Sequence, residues 1–151
     1  MKALIQRVGS CDVKVEGREV ASTGKGLLVL LGVEKGDTGE DLDMLVRKVA
    51  NLRIFEDAEG KMNLSIIDIA GEAMVVSQFT LAADTRKGNR PSFANAEEPE
   101  RAQATYLEFA KKLGNTGIKV LTGEFAAHME VSLVNDGPVT IMLDSRKEAR
   151  G

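Results

Sequence analysis

The sequence predicts a sheet-dominated domain, α+β or layered α/β, on three observations. Apolar and polar side chains alternate at residues 2–8 and 11–16, and again through Val131, Leu133, Val139, Ile141 and Leu143, which is the period of half-buried strands. The run Leu27-Leu28-Val29-Leu30-Leu31 is apolar throughout, as expected of a central strand covered on both faces. Helical periodicity is confined to two stretches, so roughly eight strands share the chain with two main helices.

Taken in order, the strands at 2–8 and 11–16 are followed by a turn at Gly17-Arg18 and a short strand at 19–22. Gly24-Lys25-Gly26 leads into the buried strand 27–31. Asp37 or Thr38 can cap a helix starting near Glu40, whose apolar positions Leu42, Leu45, Val46, Val49 and Leu52 form one stripe. A short strand at 52–55, a turn at Asp57-Ala58-Glu59-Gly60 and a weaker extended piece at 62–67 come next. Residues Ala73 to Leu81 read as a second central strand that runs out into a polar loop at 83–94. The second helix accepts Pro99 in its first turn, buries Ala102, Tyr106, Phe109, Ala110 and Leu113, and closes at Gly114-Asn115. The remainder reads as strand, loop, strand, Gly137-Pro138, strand. Pro138 cannot donate to a ladder, so it belongs at an edge, a strand start or a bulge.

At 151 residues, 43% of them hydrophobic, the chain suits one core and one domain. That domain is placed at 1–145, with a polar tail at 146–151 carrying Arg146, Lys147 and Arg150 on a disordered surface. The apolar run from Leu27 to Val33 is too short to cross a bilayer, and the alternating N-terminus lacks the apolar heart of a signal peptide. A single cysteine, Cys11, excludes an internal disulfide and a cysteine metal cluster. These features predict a cytoplasmic protein without membrane, metal or cofactor.

The net charge of −3 argues against gripping long nucleic acid by bulk electrostatics. A local contact is another matter. Arg86, Lys87 and Arg90 crowd one loop, where they are either a solvated surface or a grip on a few phosphates. The usual catalytic inventory is nearly empty. The one histidine, His128, stands between Glu124 and Glu130 and reads as surface. No phosphate-binding loop or nucleophile elbow is present. Hydrolysis would have to rely on hydroxyls, backbone groups and the substrate itself. Ser77 and Thr80 are the hydroxyl candidates, and neither has an evident base. Phe79 reads as core or as a stacking platform, and Gln78 as a surface amide or a hydrogen-bonding partner for a base or sugar.

Two segments change the weighing. Ser77-Gln78-Phe79-Thr80-Leu81 and Asn135-Asp136-Gly137-Pro138-Val139-Thr140 resemble the two signature motifs of the D-aminoacyl-tRNA deacylases. The resemblance extends to Leu4-Ile5-Gln6-Arg7-Val8, to Lys87-Gly88-Asn89-Arg90-Pro91-Ser92-Phe93 and to Thr122-Gly123-Glu124-Phe125. It implies a layered α/β/β domain and a homodimer whose sheets pack across the interface. Gly137-Pro138 would be cis and would be presented to the partner's pocket, accepting hydrogen bonds from the substrate ammonium and excluding an L side chain. Arg7 would brace that segment. Phe79 and Gln78 would hold the terminal adenosine, the Thr80 backbone and hydroxyl would line the scissile ester with Ser77 in the same catalytic segment, and Phe125 and Met129 would bind substrate. Lys87 and Arg90, with Arg86, would touch acceptor-end phosphates. The implied activity is hydrolysis of D-aminoacyl-tRNA, and of mischarged glycyl-tRNA, assisted by the ribose 2′-hydroxyl. The rival from another class is a dimeric RNA-end or nucleotide-binding module without catalysis.

Overall fold

The computed structural model of the chain describes residues 1–148. The architecture is mixed α/β with sheet dominant, organised on one long strand. β1 (Lys2–Val15) is continuous, where alternation suggested two strands. β8 (Glu130–Asp144) accompanies it antiparallel along one edge, and an irregular register between Gln6 and Ser10 absorbs the break in alternation. On the other edge β3 (Gly26–Gly32) pairs with the first half of β1 and β2 (Arg18–Thr23) with the second. β6 (Glu72–Ser77) lies parallel to β3, and β7 (Lys119–Thr122) parallel to β6. The sheet curls enough for β2 to touch β6 and β7. A separate ribbon, β4 (Phe55–Glu56) with β5 (Met62–Leu64), is shorter than the strands expected there.

Each parallel connection carries a helix, and both helices cover the same face. α1 (Gly39–Asn51) begins after Thr38, whose N–H and hydroxyl donate to Asp41 at 2.8 and 3.0 Å. Asp37 is buried instead, accepting from the Glu34 N–H at 2.7 Å and the Met1 ammonium at 2.6 Å. Leu42, Leu45, Val46 and Val49 of α1 meet Tyr106, Phe109 and Leu113 of α2 (Pro99–Gly114) over Leu27, Val29 and Leu31. Burying each such side chain contributes about 1.5–3 kcal/mol, enough to hold these helices although neither would be stable alone. The opposite face has its own cluster, Val8, Cys11, Val13, Leu28, Met74 and Val76. Alternate residues of β3 therefore enter different cores, as its unbroken apolar run requires.

At the C-terminal end, Ser145–Glu148 form one helical turn, α3. Arg146 donates to the Lys35 carbonyl at 2.7 Å, and Glu148 lies 3.3 Å from Lys48, so these two side chains pack on the body where a disordered surface was expected. Arg150 lies outside the described residues. Among those described, no helix is long and apolar enough to cross a membrane.

Candidate active site

The segment at 77–81 does not complete a strand. β6 ends at Ser77 because its partner β3 ends at Gly32. The Gln78 N–H makes the last bond, to the Leu31 carbonyl at 2.8 Å. Leu81 then donates to Gln78 at 3.2 Å and Ala83 to Thr80 at 3.1 Å, folding Phe79–Ala82 into a 3₁₀ turn. Gly32 lets this turn sit on β3: a Cβ there would stand 3.0 Å from Leu81 Cβ and 3.1 Å from the Gln78 oxygen. The N–H groups of Phe79 and Thr80 open the turn and find no acceptor among the described residues. The Gln78 amide donates to the Thr80 hydroxyl at 2.5 Å, and among the described residues no imidazole, amine or carboxylate bonds that hydroxyl. Phe79 is 56% exposed and meets the edge of Phe93, centroids 5.1 Å apart.

Beside this turn lies a hollow of about 620 Å³. Val76, Ser77, Gln78 and Phe79 form one wall, and the start of α2, from Glu97 to Pro99, forms another. Phe125 to Met129 close the third side, with exposed His128 among them. Gly123 makes room for Met129, since a Cβ at that position would lie 2.7 Å from its sulfur. Thr80, the residue after Phe79, is not among those lining the hollow. The loop beyond is closed by reciprocal Asp84–Ser92 bonds of 2.8 and 2.9 Å. Within it Arg86 folds back on Asp84 at 2.7 Å, and the guanidinium pulls that carboxyl down to about 2. Lys87 and Arg90 remain exposed.

The second motif lies elsewhere on this chain. Gly137 and Pro138 sit exposed within β8, an edge strand with a bulge, so of the three places open to the proline the edge and the bulge apply and the strand start does not, and their peptide bond is cis. Asn135 pins the bulge, its side-chain oxygen accepting from the Val139 N–H at 2.7 Å and its amide donating to the Val139 carbonyl at 3.2 Å. Buried Arg7 reaches in two directions: Nε donates to the Asp136 carbonyl and Nη1 to the Ile54 carbonyl, each at 2.7 Å. Gly137 has φ +149°, and a Cβ there would meet Val139 Cγ2 at 2.7 Å. Neither Gly137, Pro138 nor Arg7 borders the hollow of its own chain.

The sequence profile of the D-Tyr-tRNA(Tyr) deacylase family matches residues 4–144. The chain belongs to that family. A "D-aminoacyl-tRNA deacylase" of Persephonella marina is 60% identical over 146 residues, 97% of this chain and 99% of that protein. One from Clostridioides difficile is 56% identical over 147 residues, covering 97% and 99%. Among solved structures, the "c-Myc DNA Unwinding Element Binding Protein" is similar with a TM-score of 0.90 at 42% identity, over 95% of this chain and 98% of that one. A probable eukaryotic D-amino acid tRNA deacylase shares the fold, with a TM-score of 0.79 at 17% identity over 94% and 97%. The curated relatives are named D-aminoacyl-tRNA deacylases, deacylases of that kind are hydrolases of ester bonds, and membership makes this chain an enzyme of that class.

Within the deacylase frame, the structure groups the residues singled out from sequence into three places. Ser77, Gln78, Phe79, Phe125 and Met129 share the hollow, and Thr80 follows Phe79 outside its lining. Arg7, Gly137 and Pro138 share the β8 bulge, and Lys87 and Arg90 the exposed loop. Sequence reasoning missed Lys35, Phe93, Glu97, Glu98 and Pro99 as walls. Phe93 carried a usable signal, an aromatic ending a polar loop. The two glutamates carried none, because their place depends on how α2 enters.

Proposed function

We propose that this deacylase hydrolyses the ester between a D-amino acid and the terminal ribose of its tRNA, releasing D-amino acid and free tRNA. The observation that supports it most is the 3₁₀ turn at the mouth of the hollow. It offers two unused N–H groups, an exposed aromatic ring and a hydroxyl without a base, in a chain matching the family across both motifs. An aminoacyl ester is already activated, so position and charge stabilisation suffice. The Phe79 and Thr80 N–H groups hold the oxyanion while water adds to the carbonyl carbon and the bond to the ribose oxygen breaks. That oxygen takes up the proton that the attacking water gives up, and the neighbouring 2′-hydroxyl orients the water. Phe79 stacks the adenine, Gln78 bonds the nucleoside, and Ser77, Phe125 and Met129 shape the wall.

Chiral selection is assigned to the Gly137–Pro138 segment of a partner subunit in a homodimer. Its exposure on an edge strand, away from the hollow of its own chain, supports presentation to a second copy. There its carbonyls accept from the α-ammonium group and leave no room for an L side chain. A D side chain, or the hydrogen of glycine, avoids the clash. Lys87 and Arg90 contact acceptor-end phosphates. The domain is taken as 1–145, followed by the short polar segment 146–151, and the protein acts in the cytoplasm, where aminoacyl-tRNA is made.

The test compares D-Tyr-tRNA, L-Tyr-tRNA and D-Tyr-tRNA ending in 2′-deoxyadenosine. The first is hydrolysed, the second spared, and the third reacts far more slowly while binding normally. A labelled peptide containing Thr80 after rapid quench would replace this mechanism by an acyl-enzyme one. The second reading, a dimeric RNA-end or nucleotide-binding module without catalysis, draws on the similarity to the 42%-identical "c-Myc DNA Unwinding Element Binding Protein". Tight binding of charged tRNA without any deacylation would establish it.

A further inference from the structure

A second concave site lies at the C-terminal end of α1. It is a shallow hollow of about 500 Å³ lined by Met44, Arg47, Lys48, Asn51, Leu52 and Arg53. Three cations converge there on a chain whose net charge is −3. The helix end needs only part of that charge, since its dipole amounts to about half a negative elementary charge. Glu148 offsets Lys48 at 3.3 Å. Arg53 is held by the neutral Asn63, through its carbonyl at 3.0 Å and its side-chain amide oxygen, which positions the guanidinium without discharging it. Asp68, its carboxyl held low first by hydrogen bonds from Ser65, also feels the charge of Arg53 but forms no ion pair with it among the described residues. Arg47 is exposed and makes no ion pair among the described residues. More than one positive charge is therefore left over, in a dent with an apolar floor. This is an arrangement suited to a chain of phosphates rather than to a single carboxylate.

The place of the hollow is as informative as its charge. Arg53 precedes Ile54, whose carbonyl is bonded by the same guanidinium of Arg7 that bonds Asp136 beside Gly137–Pro138. We infer that the Arg47–Lys48–Arg53 hollow is a docking site for the RNA sugar–phosphate backbone of the acceptor stem. This rests on the proposed function and its two-fold arrangement. The subunit that presents Gly137–Pro138 to a hollow then also flanks the RNA entering it. Lys87 and Arg90 of the catalytic subunit hold the terminal nucleotides, and Arg47, Lys48 and Arg53 of the other take backbone further along the stem.

The test uses Arg47→Gln and Arg47→Glu, exposed changes that leave the core and the candidate active site untouched. Three probes are used: a D-tyrosyl acceptor-stem minihelix, D-tyrosyl-adenosine, and the uncharged minihelix in a binding assay. Arg47→Gln is expected to lower the slope of log affinity against log salt by about 0.9 for the minihelix. Arg47→Glu is expected to reduce minihelix kcat/KM about tenfold at low salt, with the difference vanishing at high salt. Hydrolysis of D-tyrosyl-adenosine, which has no stem, stays at the wild-type rate in both. An unchanged minihelix slope, or an equal loss on minihelix and D-tyrosyl-adenosine, overturns the inference. Failure of the wild-type protein to hydrolyse either ester would instead sink the proposed function, and the uncharged minihelix would still report on the hollow.

Discussion

Replacing Arg7 by methionine removes the side chain that ties the Gly137–Pro138 segment to Ile54. Two bonds of 2.7 Å are lost, both from a charged donor that is 6% exposed. Each such bond contributes about 1.5–3 kcal/mol, so the gross loss is about 3–6 kcal/mol. Two effects offset part of it. Methionine removes the cost of keeping a guanidinium out of water, and the Asp136 carbonyl lies at an exposed bulge where water can replace the donor. A net loss of about 2–3 kcal/mol is expected. With a urea dependence of about 2 kcal/mol per molar, the unfolding midpoint falls by roughly 1 M at unchanged slope. Arg7→Lys keeps the charge but cannot span both carbonyls, so its midpoint lies between the two. Equilibrium unfolding followed by circular dichroism measures this directly, and deacylation of D-Tyr-tRNA on the folded fraction accompanies it. If both variants unfolded at the wild-type midpoint, the fork would contribute nothing and the bracing argument would fail.

Phe79→Ala should raise KM for D-Tyr-tRNA about fivefold to 150-fold, since stacking one base contributes about 1–3 kcal/mol. Wild-type KM in Phe79→Leu would show that an apolar contact, not a ring, is what matters. Gly32→Ala should lift the 3₁₀ turn off β3, costing about 1–3 kcal/mol of overpacking and lowering kcat more than it raises KM. A crystal structure of that variant with Thr80 unmoved would contradict the positioning role. Cys11, pushed up to about 11 by burial and then by Asp12, should resist thiol reagents at pH 8 in the native state and react at once in guanidinium. Folding favours the protonated thiol, so this contribution is complete below the ordinary value of 9.0 and is lost as pH rises through about 11. Rapid labelling of the native protein at pH 8 would contradict that.

What could be read from the chain was whatever periodicity records. The stripe of α1, the face of α2 and the doubly buried β3 all follow from local spacing, because packing against a single core imposes it. The proline in a bulged edge strand follows from a missing donor. The end of β6 did not follow. Val75 to Leu81 is apolar enough to continue, and the strand stops only because β3 stops at Gly32, a fact about a neighbour distant in sequence. The continuity of β1 was hidden for the same reason, since β8 bridges the irregular stretch. One signal was present and unread: Arg7 shares the odd register of Ala3 and Ile5, both fully buried. An arginine on the core side of a strand must find acceptors, and the carbonyls of Ile54 and Asp136 supply them.

β8 puts Val131 into the wall of the hollow and, further along the same strand, holds Gly137–Pro138 away from it. Under a two-fold arrangement, no chain owns a complete site; each owns half of two. Defects in the two halves are then separable by mixing. A protein broken in the 3₁₀ turn and another broken in the bulge are each inactive, yet a dimer of one with the other contains one intact site. Random reassortment of equal amounts should recover about a quarter of the wild-type sites from two inactive preparations. Inheritance follows the same logic, because one gene copy can conceal the fault of another only when their products meet.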